Sequence, residues 1–213
     1  MTRGSAPERP GAQEWVPPEG DVDALRQAAP GCRGCELWAD ATQVVFSSGP
    51  PGARMLMVGE QPGDREDRTG EPFVGPAGRV LDEAVEAAGI DPANVYTTNA
   101  VKHFRFVERG KRRLHKKPAV PHIAACRPWL LAELAAVHPD VVVCLGATAA
   151  RAVIGHDVRI GDVRGQVLEG DDAGDAAGRV LVTTHPSAVV RLRGKPEWDE
   201  AFGSFVEDLR AAL

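Results

Sequence analysis

MLMVGEQPGDREDRTGEPFVGPAG, residues 55–78, opens as a short apolar run at 55–58 bounded by turn residues, the pattern of a buried parallel strand. It closes at Pro76, a good first residue for a helix. Strand, long loop, helix is the expected order. In an open α/β sheet ligands settle outside the carboxyl ends of the strands, so a loop of this length is a site candidate. Gly59, Gly63, Gly70, Gly75 and Gly78 would let backbone approach a ligand closely. Glu60 and Gln61 follow the strand directly, and Phe73 lies between two prolines. An ordinary βα loop with a core Phe would carry the same residues, so the rest of the chain has to decide.

Downstream, Val80, Leu81, Ala84, Val85 and Ala88 recur at helical spacing, and Gly89 supplies a C-cap. Residues 94–100 read as a strand whose end delivers Asn99 beside Glu60. The segment 102–118 lacks clean periodicity and reads as a long loop. A helix over 120–137 carries Cys126, a strand over 140–145 carries Cys144, and 147–154 is helical. After a β-rich excursion at 158–168, a strand over 180–184 ends at His185-Pro186-Ser187, and a helix over 196–213 closes the chain. Upstream, 42–47 reads as a strand, and Asp21 caps a short helix reaching Ala29. Residues 1–20, rich in Pro, Gly and charge, are expected to form a flexible tail, leaving 21–213 as a single domain. Alternating strands and helices predict a three-layer α/β/α fold around a central, mostly parallel sheet. Glu60, Asn99, Cys144 and His185 all follow or end strands; three of them can share one crevice while the cysteine serves a neighbouring structural site.

Composition limits what this domain can do. A chain of 213 residues with 43% hydrophobic content supports one sizeable core. No apolar segment approaches the ~20 residues of a membrane span, and the first twenty residues hold no signal-peptide-like stretch, so a cytoplasmic protein without membrane contact is expected. The net charge of −5 hides an asymmetry. Between 101 and 120 stand Lys102, Arg105, Arg109, Lys111, Arg112, Arg113, Lys116 and Lys117 against Glu108 alone. Neither G-x-G-x-x-G nor a P-loop occurs, which argues against a small-nucleotide enzyme. The cysteines are Cys32, Cys35, Cys126 and Cys144, a Cys-x2-Cys pair and two distant singles. In a reducing compartment such a set suits a closed thiolate site better than disulfides. Spacing leaves zinc and an iron-sulfur cluster open, although a zinc ribbon would need two close pairs.

Taken together, GEQPG (59–63), EPFVGPAG (71–78), TNAVKHF (98–104), HPS (185–187) and the four cysteines resemble the family 4 uracil-DNA glycosylases, over roughly residues 32–213. The resemblance implies a uracil-DNA glycosylase-like fold, DNA repair activity and a [4Fe-4S] cluster on the four cysteines. Two departures are similar to the UdgX branch: Gln61 where the family loop commonly has Ala, and Lys111-Arg112-Arg113-Leu114-His115 in the basic segment. In that branch a histidine of a KRR-x-H loop captures uracil-containing DNA covalently; Leu114 stands where Ile is common. A monomer acting on uracil-containing DNA is expected, single-stranded first, with duplex also open.

Roles follow from chemistry. A base inside DNA must be flipped out or taken from a single strand before its edge can be read. The Asn99 amide can accept from uracil N3–H and donate to O4, a pattern cytosine reverses. Phe73 would stack on the base, and Gln61 joins them in the expected uracil-binding set. His185 would donate to O2 as charge develops on the departing base. Glu60 would stabilise the oxocarbenium-like sugar, and His115 would trap C1′ in place of water. Lys102, Lys111, Arg112 and Arg113 would neutralise phosphates, Ser187 would bind a flanking phosphate, and Arg191 would reach the backbone or the gap in the stack. The alternatives are a conventional multi-turnover glycosylase and a non-catalytic nucleic-acid-binding module with a structural metal.

Overall fold

The computed structural model describes residues 9–174 and 178–213. In chain order the elements are α1 (Val22–Ala28), α2 (Leu37–Asp40), β1 (Ser47–Ser48), β2 (Met55–Gly59), α3 (Asp64–Thr69), α4 (Pro76–Ala88), β3 (Val95–Asn99), β4 (Phe106–Arg109), β5 (Arg112–His115) and α5 (Val120–Val137). There follow β6 (Val141–Leu145), α6 (Ala147–Ile154), α7 (Ile160–Val163), β7 (Val167–Leu168), β8 (Arg179–Thr183), α8 (Pro186–Val190) and α9 (Trp198–Arg210).

Six strands form one sheet in the order β1-β3-β2-β6-β8-β7. The four central strands run parallel, and the two-residue strands β1 and β7 close the edges antiparallel. The central strands read as apolar runs because both faces are covered. Along β2, Leu56 and Val58 enter the core layer beneath α1, α5 and α6, while Met55 and Met57 enter the layer beneath α4 and α9. The expected three-layer α/β/α architecture is therefore observed. No helix among the described residues is long and apolar enough to cross a membrane.

Sequence punctuation sets several boundaries. The Asp21 side chain accepts from the Ala24 amide at the start of α1, and Pro76 opens α4. Gly89, with φ 77°, ends α4 in the left-handed conformation.

Four expectations need correction. The strand over 42–47 is reduced to Ser47–Ser48, because only that edge finds a partner in β3. The loop after β2 contains α3. The excursion at 158–168 is one short helix and a two-residue strand. The basic segment is a β-hairpin, β4 on β5, turned at Gly110 with φ 60°. The tail also differs from expectation over residues 9–20. Ala12 is buried and donates to the Ala125 carbonyl, and Gly11 donates to the Gly34 carbonyl, so this part is packed on the body. Residues 1–8 lie outside the described ones.

Candidate active site

The carboxyl ends of β2, β3 and β8 border a cavity of about 1070 Å³, lined among others by Glu60, Phe73, Asn99, His115 and His185. Its floor depends on a missing side chain. A Cβ on Gly59 would lie 2.3 Å from the Asn99 Oδ1 and 2.7 Å from the tip of the Phe73 ring, so glycine lets amide and ring meet over the strand end. Phe73 itself has φ 58°, uncommon for a non-glycine residue, and its carbonyl occupies the place a Cβ on Gly78 would need. The buried Glu66 carboxylate accepts from the Gly75 amide at 2.8 Å and holds the loop on its other side.

Glu60 is bracketed by two groups. Its Oε1 lies 3.4 Å from the His115 Nε2, and its Oε2 accepts from the Thr148 hydroxyl at 2.5 Å. The side chain of His115 is 48% exposed, so a strand of DNA can reach it from solvent. Thr148 belongs to α6, which begins directly after β6, and sequence reading missed it. Its one signal is its place in the first turn of a helix that follows a sheet strand.

Asn99 is buried, and its side-chain amide makes no hydrogen bond among the described residues. Such an amide, next to the Phe73 ring, can read the edge of an inserted base. Its backbone carbonyl is held from behind by the Lys102 ammonium at 3.0 Å.

His185 caps α8. Its Nδ1 accepts from the Ser187 amide at 3.1 Å and lies 2.8 Å from the Ser187 hydroxyl, so the proton of the neutral ring sits on Nε2. Burial, aided by the nearby charges of His115 and Arg191, pushes its pKa down to about 4. The ring is thus a neutral donor at physiological pH.

Three expected roles are corrected. Lys102 is no DNA contact: it is buried, paired with the buried Glu133 of α5, and bonded to the Thr98 hydroxyl at 2.5 Å. Arg113 faces inward, donating to Asp64 and to the buried Asp67, each at 2.6 Å, with its guanidinium over Phe104 and Phe106. It locks the hairpin to α3. The Gln61 amide is spent on the hairpin legs, donating to the Arg105 and Lys116 carbonyls at 3.1 and 3.3 Å and accepting from the Arg105 amide at 3.2 Å. Gln61 therefore sets the base of the loop that carries His115, with its Nε2 donors spent there. Lys111 and Arg112 are exposed on the hairpin, and Arg191 is exposed at the cavity's rim. The Ser187 hydroxyl serves His185 in this structure.

The four cysteines are buried, free of disulfides, and gathered in one core layer between α1, α5 and the sheet. Cys32 accepts from the Trp129 indole N–H and Cys126 from the Lys102 amide, both at 3.3 Å. Burial raises the Cys126 thiol to about 12 and Cys144 higher still. Buried thiols with N–H donors directed at sulfur are a donor set suited to a thiolate-held metal centre. Among the described residues no three His, Cys, Asp or Glu side chains are drawn together at metal-holding distance.

A parallel sheet carrying a carboxylate, an amide and a neutral histidine at its strand ends, around one cavity, defines the class. The chain belongs to the uracil DNA glycosylase superfamily, whose family model matches residues 46–210. Among individual relatives, it is 39% identical over 163 residues to a type-4 uracil-DNA glycosylase of Thermotoga maritima, covering 76% of this chain and 79% of that one. It is 32% identical over 186 residues to a type-4 uracil-DNA glycosylase of Archaeoglobus fulgidus, covering 85% and 89%. A DNA polymerase of Bacillus phage SP01 is 26% identical over 162 residues, 76% of this chain but 16% of that protein.

Proposed function

We propose that the protein is a DNA-repair glycosylase that excises uracil from DNA and ends the reaction bonded to the sugar through His115. The observation that carries this reading is the Glu60–His115 contact at 3.4 Å, which puts an imidazole where a carboxylate already waits for a cationic sugar. Uracil enters the cavity, stacks on Phe73 and pairs its N3–H and O4 with the Asn99 amide. The His185 Nε2–H donates to O2 as the N-glycosidic bond breaks and negative charge collects on the base. Glu60, oriented by Thr148, stabilises the oxocarbenium-like sugar. One His115 ring nitrogen then bonds to C1′, and the proton on the other passes to Glu60, directly or through water. The adduct is an N-linked neutral imidazole and a poor leaving group. Turnover stops.

Cys32, Cys35, Cys126 and Cys144 would hold the [4Fe-4S] cluster, which when bound would pin the surrounding chain. Lys111, Arg112 and Arg191 would neutralise phosphates.

The second reading is a conventional multi-turnover glycosylase, favoured by the 39% identity to a type-4 enzyme. A denaturing gel after mixing with single-stranded uracil-containing DNA separates the two. A shifted band supports capture; a cleavable abasic strand with free protein supports turnover. Neither product would return the protein to a non-catalytic binding module. His115→Ser should abolish the shifted band and admit water as the trap.

A further inference from the structure

The hairpin has two faces. Strand alternation puts Phe106, Glu108, Arg113 and His115 on one, where Arg113 ties it to α3 and His115 meets Glu60. Val107, Arg109, Arg112 and Leu114 occupy the other.

That second face is built against its own stability. Val107 and Leu114 are direct cross-strand partners, 44% and 39% exposed, among the few large hydrophobics left in water. Beside them Arg109 stands opposite Arg112, and like charges directly opposite destabilise a strand pair. Neither arginine makes an ion pair among the described residues, nor does Lys111 at the turn. An apolar pair flanked by unpaired cations complements a ligand with an apolar plate and an anionic edge. A nucleotide has that form, and Leu114 is the chain neighbour of His115 on the opposite face of the ribbon, so a strand leaving the cavity around the hairpin's edge meets the Val107–Leu114 pair first. Arg112 lies ~10 Å along the strand from His115, a span of one or two nucleotides.

We infer that the Val107–Leu114 face is a second DNA subsite, on which the base next to the flipped uracil rests while Arg109 and Arg112 hold its phosphates. This rests on the uracil-DNA reading above. Single-stranded DNA fits better than duplex, because only an unstacked base can turn its plane onto the aliphatic pair.

The test uses the full chain and a short single strand bearing one deoxypseudouridine, whose C–C glycosidic bond resists cleavage. Matched strands lack the base on the 5′ or the 3′ neighbour, and a last one has thymine in place of the analogue. Removing the base on one side should weaken wild-type binding about tenfold. The Val107→Thr/Leu114→Thr variant, which places a β-branched, strand-favouring residue at both positions, should bind the intact strand about tenfold more weakly and lose nothing further when that base is removed. Indifference of the wild type to both neighbours, or losses that multiply, would overturn the subsite. If the analogue binds no better than thymine, the uracil reading fails separately; the variant's affinity for the thymine strand then decides whether the face holds DNA. Loss of a dimer in the variant, with DNA binding intact, would reassign the face to a second copy of the chain.

Discussion

Lys102 and Glu133 form an ion pair sealed from solvent, and the same ammonium donates to the carbonyl of Asn99, whose side chain lines the cavity. Glu133 also accepts from the Tyr96 and Thr98 hydroxyls at 3.0 and 2.8 Å, so every side chain of the knot is satisfied. A buried pair gains little over apolar packing, and breaking one partner leaves an uncompensated charge. Lys102→Met should therefore destabilise the fold by about 3–5 kcal/mol. Lys102→Met/Glu133→Leu should regain a large part of that. Denaturant unfolding of both variants checks it; equal losses would mean that the pair is not what holds the end of β3.

Thr148→Val removes the donor to Glu60 Oε2 and keeps the shape of the side chain. Excision measured in a single turnover should slow about ten- to a hundredfold, in line with the ~1.5–3 kcal/mol of a hydrogen bond to a charged group. DNA affinity should be unchanged, and Thr148→Ser should restore the rate. An unaltered rate in the valine variant would remove Thr148 from the site.

The His185 ring, with its pKa pushed down to about 4 by burial, makes stability fall on acidification. Below its ordinary value of about 6.5 the unfolded chain binds a proton that the folded chain refuses, so the stabilisation present above about 6.5 is lost as pH falls toward 4. His103, buried and also pushed down to about 4, adds to the same slope. Melting temperature followed over this window should drop for the wild type and less steeply for His185→Asn. The same variant should lose about 10²–10³ in excision rate, the usual effect of removing one oxyanion donor. Parallel melting curves for the two proteins would place the proton uptake elsewhere.

Arg113→Lys should weaken capture by His115 although charge is kept, because one ammonium cannot bridge Asp64 and Asp67 as the guanidinium fork does. Proteolytic nicking in the hairpin should rise in parallel. Capture at the wild-type rate would mean that the hairpin needs no lock.

The central sheet was legible because strands buried on both faces must be apolar throughout, and the proline and glycine at the two ends of α4 mark its limits. Glu60, Asn99 and His185 were legible because a parallel sheet delivers whatever ends its strands to one edge. The hairpin was not: its outer face exposes Val107 and Leu114, and the polar inner face hides the alternation that would reveal a strand. Lys102 looked like one cation in a basic run, since its partner lies thirty-one residues away on α5. Arg113 misled for the same reason, with its carboxylates on a helix read as loop. Thr148 had only its place in the first turn of α6 to set it apart until the carboxylate it touches was located.

The most direct measurement is mass spectrometry of the protein after reaction with single-stranded uracil DNA and exhaustive nuclease digestion. A deoxyribose-phosphate remnant on His115, with uracil free in solution, is the predicted result. Free uracil with an unmodified His115, and abasic DNA accumulating beyond one equivalent of protein, would contradict it.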